Sequence, residues 1–153
     1  MSDPQQVINF SLSDKDGNII TLNDFKGKNI VIYFYPKDDT PGCTVEAQDF
    51  STLQKEFAKN DTTIIGISKD TPICHQKFSS KYNLTVLLLS DIETTVCQQY
   101  GVWKEKTIMG KKYMGIERTT FLINKNFEIE KIWHKVKAEG HALEVLSYIQ
   151  NIK

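Results

Sequence analysis

Residues 33 to 50 read Tyr-Phe-Tyr-Pro-Lys-Asp-Asp-Thr-Pro-Gly-Cys-Thr-Val-Glu-Ala-Gln-Asp-Phe, and this stretch joins an apolar strand to a helix. The strand runs into Pro36, and the helix begins around Pro41, a residue type favoured in the first turn. Cys43 therefore lies in that first turn, where free backbone N–H groups and the positive end of the helix dipole favour an anion. Because a thiolate is such an anion, the stretch predicts a reactive cysteine.

The chain around this stretch predicts parallel strands that alternate with helices. Residues 29–35 are apolar on both faces after the first residue and rich in β-branched and aromatic side chains, which is typical of a central strand. Similar apolar runs predict strands at 62–67 and 85–89. A helix that leaves the carboxyl end of a central strand is a favoured place for a site, and Cys43 occupies that place.

Two further helices are predicted from their start signals. Asp70-Thr71-Pro72 combines a capping residue with proline, and it opens a helix that has Cys74, Phe78 and Tyr82 along one face. Ser90-x-x-Glu93 has the form of a capping box and predicts a short helix through Val96, Cys97 and Tyr100.

The two ends of the chain supply the remaining elements. Strand pairs are predicted as a hairpin at 7–12 and 19–22, a small hairpin within 102–117, and an antiparallel pair at 119–123 and 128–134. A last amphipathic helix follows Gly140, and its predicted apolar side consists of Ala142, Leu143, Val145, Leu146 and Ile149. This order predicts an α/β fold similar to thioredoxin, with a central mixed β-sheet flanked by helices and an N-terminal β-hairpin, in one domain over residues 1–153.

Composition excludes several classes of partner. Nineteen basic and nineteen acidic residues cancel, and the chain has no dense Lys/Arg run, so we expect neither a nucleic acid nor an anionic membrane as partner. No apolar run approaches the roughly 18 residues of a membrane span. The start of the chain lacks the layout of a signal peptide, and we expect a cytoplasmic protein.

The cysteines and histidines do not form a metal-binding pattern. Three cysteines are an odd, widely spaced set, which argues against a structural disulfide framework and against a zinc site. The histidines lack metal-ligand spacing, so we expect no metal and place their side chains at the surface or in partly satisfied positions: His75, His134 and His141. Among nineteen basic residues only Arg118 is arginine, which hints that a planar, permanently charged fork matters there.

Several stretches of the sequence resemble a known family. The pattern Pro36-x-x-x-Thr40-x-x-Cys43 is similar to the peroxiredoxin signature, and residues 33–44 resemble its peroxiredoxin Q (bacterioferritin comigratory protein) branch. Further blocks resemble that branch in the same order: Ile65-Gly-Ile-Ser68, Leu88-Leu-Ser-Asp91, Tyr100-Gly-Val-Trp103 and Arg118-Thr-Thr-Phe-Leu-Ile123. The resemblance implies a thiol-dependent peroxidase that reduces hydrogen peroxide and organic hydroperoxides in antioxidant defence, without cofactor or metal.

The resemblance also implies a role for each residue of the motif. Cys43 would be the peroxidatic nucleophile, which becomes a sulfenic acid when it attacks the O–O bond. Thr40 would hydrogen-bond the sulfur and the peroxide, and Pro36 would shield the sulfur. Arg118 would hold the thiolate and the peroxide oxygens, and Glu46 would orient Arg118.

Simpler readings of the same residues stay open at this stage. Thr40 can be a helix N-cap, Pro36 and Pro41 can be turn residues, and Glu46 can complement the helix dipole. In the peroxidase reading, Pro41 supports the site together with Pro36. Two other functions also remain: a thiol-disulfide oxidoreductase, against which the chain has no Cys-x-x-Cys, and a non-catalytic binding domain.

Regeneration of the cysteine is where the chain departs from the branch. Many relatives carry a second cysteine five residues after the nucleophile, where this chain has Gln48, or on a later helix near Ser79. Cys74 is either the resolving thiol or a buried core thiol, and Cys97 is the weaker candidate because it lies beside Val96 in an apolar helix. If neither resolves, an external thiol such as thioredoxin, or glutathione with glutaredoxin, reduces Cys43 directly. We favour this one-cysteine cycle, in a monomer or weak dimer.

Overall fold

The computed structural model describes residues 3–152. Nine strands lie within them: β1 Ser11–Asp14, β2 Ile19–Thr21, β3 Asn29–Phe34, β4 Thr62–Ser68, β5 Leu87–Ser90, β6 Trp103–Ile108, β7 Lys111–Ile116, β8 Thr119–Ile123 and β9 Ile129–Trp133. Four α-helices join them over the same residues: α1 Pro41–Lys59, α2 Pro72–Tyr82, α3 Thr95–Gln99 and α4 His141–Asn151.

Seven of the strands form one mixed sheet, in the order β2-β1-β5-β4-β3-β8-β9. β3 runs parallel to β4, and β4 runs parallel to β5, whereas β1 is antiparallel to β5 and β8 is antiparallel to β3. The predicted mixed sheet with flanking helices and an N-terminal hairpin is confirmed. The hairpin is shorter than predicted, because its first strand begins at Ser11 and not at residue 7.

The central strand β3 is apolar on both faces because a core lies on each side of the sheet. Val31 and Tyr33 pack on the face covered by α1 and α4, while Ile30, Ile32 and Phe34 pack on the other. Successive side chains of a strand point to opposite faces, so the continuous apolar run fills both cores.

Tyr33 depends on a glycine in the neighbouring strand. A Cβ atom at Gly66 would lie 2.6 Å from Tyr33 Cζ and 2.9 Å from Leu88 Cδ2. Gly66 thus allows the Tyr33 ring to lie close against the backbone of β4, beneath α1, where it stacks on Phe50.

The predicted third helix is present and includes Val96 and Cys97, but its predicted start at the Ser90 capping box is wrong. The helix begins at Thr95, five residues after Ser90, and the carboxylate of Asp91 accepts hydrogen bonds from the backbone N–H groups of Val96 and Cys97. Asp91, and not Ser90, therefore satisfies free N–H groups at the start of this helix.

The buried face of α2 differs from the prediction, and one residue of the predicted apolar side of α4 is exposed. In α2 the buried residues are His75, Phe78 and Ser79, whereas Cys74 is exposed. In α4 Leu143 is 56% exposed, although the rest of the predicted apolar side is buried. The spacing of apolar residues predicts the buried face of a helix only to within about one residue. Which residues are buried depends on the elements that pack against the helix.

β6 and β7 form the predicted small hairpin as a separate two-stranded sheet. It leads directly into Glu117 and Arg118, ahead of β8. Over the residues that the structure describes, no helix combines the length and the apolar character needed to cross a bilayer.

Candidate active site

Cys43 lies in the first turn of α1, at the carboxyl end of β3. Pro41 occupies a first-turn position of the helix, and the backbone N–H of Thr44 donates to the Thr40 carbonyl at 2.9 Å. The Cys43 side chain is buried, with 1% of its surface exposed. The thiol therefore lies in a helical turn whose N–H groups have no partner within the helix, in surroundings of low dielectric constant.

The sheet order brings Arg118 to this thiol. Thr119 pairs with Phe34, so the residue before β8 lies beside the end of β3. Arg118 Nη2 donates to Cys43 Sγ at 3.3 Å, and Arg118 Nη1 donates to Glu46 Oε1 at 2.7 Å. One guanidinium thus contacts both the thiol and a carboxylate one helical turn later. The planar, two-pronged group of arginine suits this arrangement, whereas the compact ammonium group of lysine does not.

Burial shifts the pKa values of the two ionisable partners, Glu46 and Arg118. Burial raises the pKa of Glu46 to about 7, although Arg118 opposes the shift. Burial lowers the pKa of Arg118, but the charges of Glu46 and Cys43 outweigh this effect and raise it above its ordinary value. Within residues 3–152, Glu46 Oε2 has no hydrogen-bond partner. Its carboxylate is therefore held by Arg118 alone, at a high cost of desolvation.

We expect Glu46 to make the protein less stable as the pH rises. Its pKa changes from the ordinary 4.5 to about 7 on folding, so its contribution to stability is complete below about pH 4.5 and is lost as the pH rises through about 7. The loss is on the order of 3 kcal/mol. The free energies of unfolding of the wild type and Glu46→Gln are measured in urea at several pH values between 4.5 and about 7. Titration of the other groups cancels when the two proteins are subtracted, so the remaining pH dependence belongs to Glu46. A difference that does not change with pH would contradict the assignment.

Thr40 and Pro36 lie in the connection between β3 and α1, ahead of Cys43. Both side chains are half-buried. Thr40 Oγ1 donates to the Lys37 carbonyl at 2.8 Å and does not cap the helix. Thr40 is therefore the N-cap residue of α1 by position, as the simpler reading allows, but its side chain makes no capping hydrogen bond. Its hydroxyl oxygen still has lone pairs available to accept a hydrogen bond.

The other two cysteines differ in accessibility. Cys74 is exposed, so the reading as a buried core thiol is wrong. Cys97 is fully buried, and burial, then the charge of Asp91, raises the pKa of its thiol. At the two positions where the family resemblance implies a second cysteine, Gln48 is exposed and Ser79 is buried. Among the thiols other than Cys43, only Cys74 can meet another molecule or a reoriented segment without unfolding of the core.

The sequence predicts surface or partly satisfied positions for the three histidines, and two of them are instead buried and hydrogen-bonded. His75 is 0% exposed, and its ring nitrogens lie 2.6 Å from Asp38 Oδ2 and 3.0 Å from the Leu89 carbonyl oxygen. His141 is 2% exposed and lies 2.8 Å from Thr120 Oγ1. Over residues 3–152, no cluster of three or more His, Cys, Asp or Glu side chains could hold a metal ion.

Two charged side chains near the site were missed at the sequence level. Asp38 is buried in the connection between β3 and α1. Lys106 comes from the hairpin, and its Nζ donates to the Ile116 carbonyl at 2.5 Å; burial lowers its pKa, as does the charge of Arg118. Asp38 could have been noticed as a carboxylate two residues before Thr40, but the position of Lys106 follows only from the folded hairpin.

A groove opens beside the first turn of α1. Its volume is about 500 Å³, and its walls are formed by Pro41, Gly42, Val45, Lys137, Ala138 and Glu139. A Cβ atom at Gly42 would lie 3.0 Å from Arg118 Nη2 and 3.8 Å from Ala138 Cβ. The absence of a side chain at Gly42 therefore keeps the groove next to the guanidinium that contacts the thiol.

A buried cysteine at the start of a helix, contacted by an arginine across a thioredoxin-like sheet, defines the class of thiol-dependent peroxidases. The model of the AhpC/TSA family matches residues 4–132, and the chain belongs to this family, within its peroxiredoxin Q (Bcp) branch.

Individual relatives match over nearly the whole chain. A bcp protein of Coxiella burnetii is 51% identical over 137 residues, which cover 90% of this chain and 91% of the relative. Peroxiredoxin Bcp of Bacillus subtilis is 47% identical over 148 residues, which cover 97% and 94%. A solved structure of the Xanthomonas campestris bacterioferritin comigratory protein, studied for alkyl peroxide reduction, superposes with a TM-score of 0.88 at 42% identity, covering 93% of this chain and 90% of that one.

Proposed function

We propose that Cys43 is the nucleophile of this peroxidase. Its thiolate attacks one peroxide oxygen, an S–O bond forms as the O–O bond breaks, and the other oxygen leaves as an alkoxide or hydroxide that takes up a proton. The sulfur is oxidised to a sulfenic acid, and the peroxide is reduced to an alcohol or water. The observation that carries this proposal is the 3.3 Å contact between Arg118 Nη2 and Cys43 Sγ. Peroxide consumption with dithiothreitol, compared between the wild type and Cys43→Ser, tests it.

Arg118 and Thr40 support the attack from two sides. The guanidinium of Arg118 contacts the thiol and is available to the oxygen on which negative charge develops. Since the Thr40 hydroxyl hydrogen is directed to the Lys37 carbonyl, its oxygen would accept a hydrogen bond from the peroxide O–H. These two contacts would align the O–O bond with the sulfur, while Pro36 and Pro41 border the site.

The proposed substrates are hydrogen peroxide and organic hydroperoxides. The groove beside Gly42 and Arg118 has room for an alkyl group of modest size, and Val45 and Ala138 provide apolar walls. The alkyl peroxide reduction studied in the Xanthomonas campestris relative supports the same class of substrate.

For regeneration we propose direct reduction of Cys43 by an external thiol. A first thiol condenses with the sulfenic acid and releases water, and a second thiol reduces the resulting mixed disulfide. Thioredoxin, or glutathione with glutaredoxin, would supply these thiols to a monomer or weak dimer. All three cysteines are unpaired, which suits a reducing compartment such as the cytoplasm. The exposure of Cys74 supports one alternative, in which this thiol resolves the sulfenic acid.

The mass of the oxidised protein separates the two routes. After one equivalent of peroxide without reductant, we expect the intact protein to gain one oxygen atom or its over-oxidation products. Cys74→Ser should react in the same way, because Cys74 takes no part in the one-cysteine cycle. A loss of two hydrogen atoms, together with a Cys43–Cys74 disulfide peptide after digestion, would establish the alternative.

A further inference from the structure

A buried network outside the reacting atoms ties the loop before Cys43 to α2. Its centre is the pair His75 and Asp38, in which the imidazole Nδ1 lies 2.6 Å from a carboxylate oxygen. Both residues are buried, at 0% and 8% exposure. A buried polar pair of this kind is costly unless its remaining hydrogen-bonding groups are also satisfied.

Every polar atom of the pair has a partner. A backbone carbonyl only accepts, so His75 Nε2 carries a hydrogen and donates it to the Leu89 carbonyl at 3.0 Å. The Tyr35 hydroxyl donates to the second Asp38 oxygen at 2.6 Å. Burial, together with the charge of Asp38, raises the pKa of Tyr35, which keeps this donor protonated. The carboxylate of Asp38 is thus held from two directions in one orientation.

The loop that carries Thr40 is fixed by these contacts. The backbone N–H of Asp38 donates to Asp70 Oδ2 at 2.9 Å, beyond the end of β4. The next residue, Asp39, has a φ of 59° and accepts hydrogen bonds from Lys81 Nζ at 2.8 Å and from Tyr82 Oη at 2.5 Å, both on α2. Two successive loop residues are therefore anchored to the same helix, immediately before Thr40 and the first turn of α1.

We propose that His75 is a positioning residue for the peroxidase reaction. Its imidazole orients Asp38, and Asp38 holds the 36–40 loop so that the Thr40 hydroxyl faces the position of the peroxide above Cys43. This inference rests on the proposed roles of Cys43 and Thr40. His75 lies on the buried face of α2 because Asp38, Tyr35 and the Leu89 carbonyl provide partners there.

Two substitutions of His75 each keep one of its hydrogen bonds, to Asp38 or to the Leu89 carbonyl, and remove the other. Asparagine places its amide near the position of Nδ1 and keeps a donor for Asp38, whereas glutamine reaches the position of Nε2 and keeps only the donor for Leu89. We expect His75→Gln to lower kcat/KM for hydrogen peroxide by about tenfold or more, and His75→Asn to stay within about threefold of the wild type. Ile30→Ala, in the core on the opposite face of the sheet, is the control for general loss of stability.

Asp38 provides an independent pair of variants if the His75 variants fold poorly. Asp38→Asn can still accept from Tyr35 and donate to an unprotonated His75 Nδ1, so it should keep kcat/KM within about threefold, whereas Asp38→Ala should lose about tenfold or more. Equal rates for His75→Asn and His75→Gln, or losses that follow the melting temperature as in Ile30→Ala, would overturn the proposal.

A double-mutant cycle tests whether His75 acts through Thr40. In a Thr40→Val background, His75→Gln should cause less than about a twofold further loss, because the group that it positions is already absent. An undiminished loss in that background would overturn the proposal. The wild type and Cys43→Ser are measured in parallel. Failure of the wild type to show Cys43-dependent turnover would refute the proposed function, whatever the His75 variants do.

Discussion

Cys43→Ser is expected to lower peroxide turnover by at least about 10³-fold, because a hydroxyl at this position remains protonated and is a far weaker nucleophile than a thiolate. The fold should survive the change. Serine is nearly isosteric with cysteine, and Arg118 Nη2, now 3.3 Å from Sγ, can donate to the new oxygen. The measurement is peroxide consumption with dithiothreitol at several peroxide concentrations, so that kcat and KM are both obtained.

Cys74→Ser is the matched control for this experiment. It makes the same chemical change at an exposed cysteine and should leave turnover with dithiothreitol within about twofold of the wild type. Circular dichroism and thermal unfolding of both variants verify that they are folded. Substantial peroxide turnover by folded Cys43→Ser would refute the assignment of the nucleophile.

Substitution of Arg118 is expected to have the second largest effect. Arg118→Met should lower kcat/KM by about 10²–10³-fold, the usual consequence of removing a donor aimed at developing negative charge. Arg118→Lys should recover only part of the rate, because an ammonium cannot contact Cys43 Sγ and Glu46 Oε1 as the planar fork does. The kinetics are measured with the same peroxide assay.

Stability measurements separate catalysis from folding in the Arg118 series. Arg118→Met removes the charge that lowers the pKa of Glu46, so the buried carboxyl takes up a proton at neutral pH. The loss of stability should therefore be smaller than the cost of about 3–5 kcal/mol for an unpaired buried charge. The double variant Arg118→Met with Glu46→Leu should restore most of that stability but none of the rate. Activity that returned together with stability would show that Arg118 serves the fold and not the reaction.

Acidity of the thiol does not account for a fast reaction in such a site. A lower thiol pKa increases the thiolate fraction, but nucleophilicity falls with it, with a Brønsted slope of about 0.4–0.5 in disulfide exchange. Most of the gain in thiolate is therefore lost. Alignment of the peroxide and stabilisation of the departing oxygen have to supply the rest, which explains the expected sensitivity to Arg118 and Thr40.

α2 shows how far a helical pattern can be interpreted. The stripe of Cys74, Phe78 and Tyr82 made a buried core thiol one of two readings of Cys74, but the buried face includes His75 instead. Imidazole is polar, and hydropathy alone favours its exposure. Its burial becomes stable only when the loop after β3 supplies the carboxylate of Asp38 and β5 supplies the Leu89 carbonyl.

The residues 33–50 contain enough local information to place Cys43 at the start of α1, because strand patterns, proline positions and helix starts depend on neighbours in the sequence. The same local signals predicted most strands and the mixed sheet. The contact of Cys43 with Arg118 joins residues 75 positions apart and exists because β8 lies beside β3. The burial of Glu46 and His75 likewise depends on partners from distant segments. Such charges and polar groups enter the interior only where packing of the whole chain brings their partners to them, and no short stretch of sequence records that arrangement.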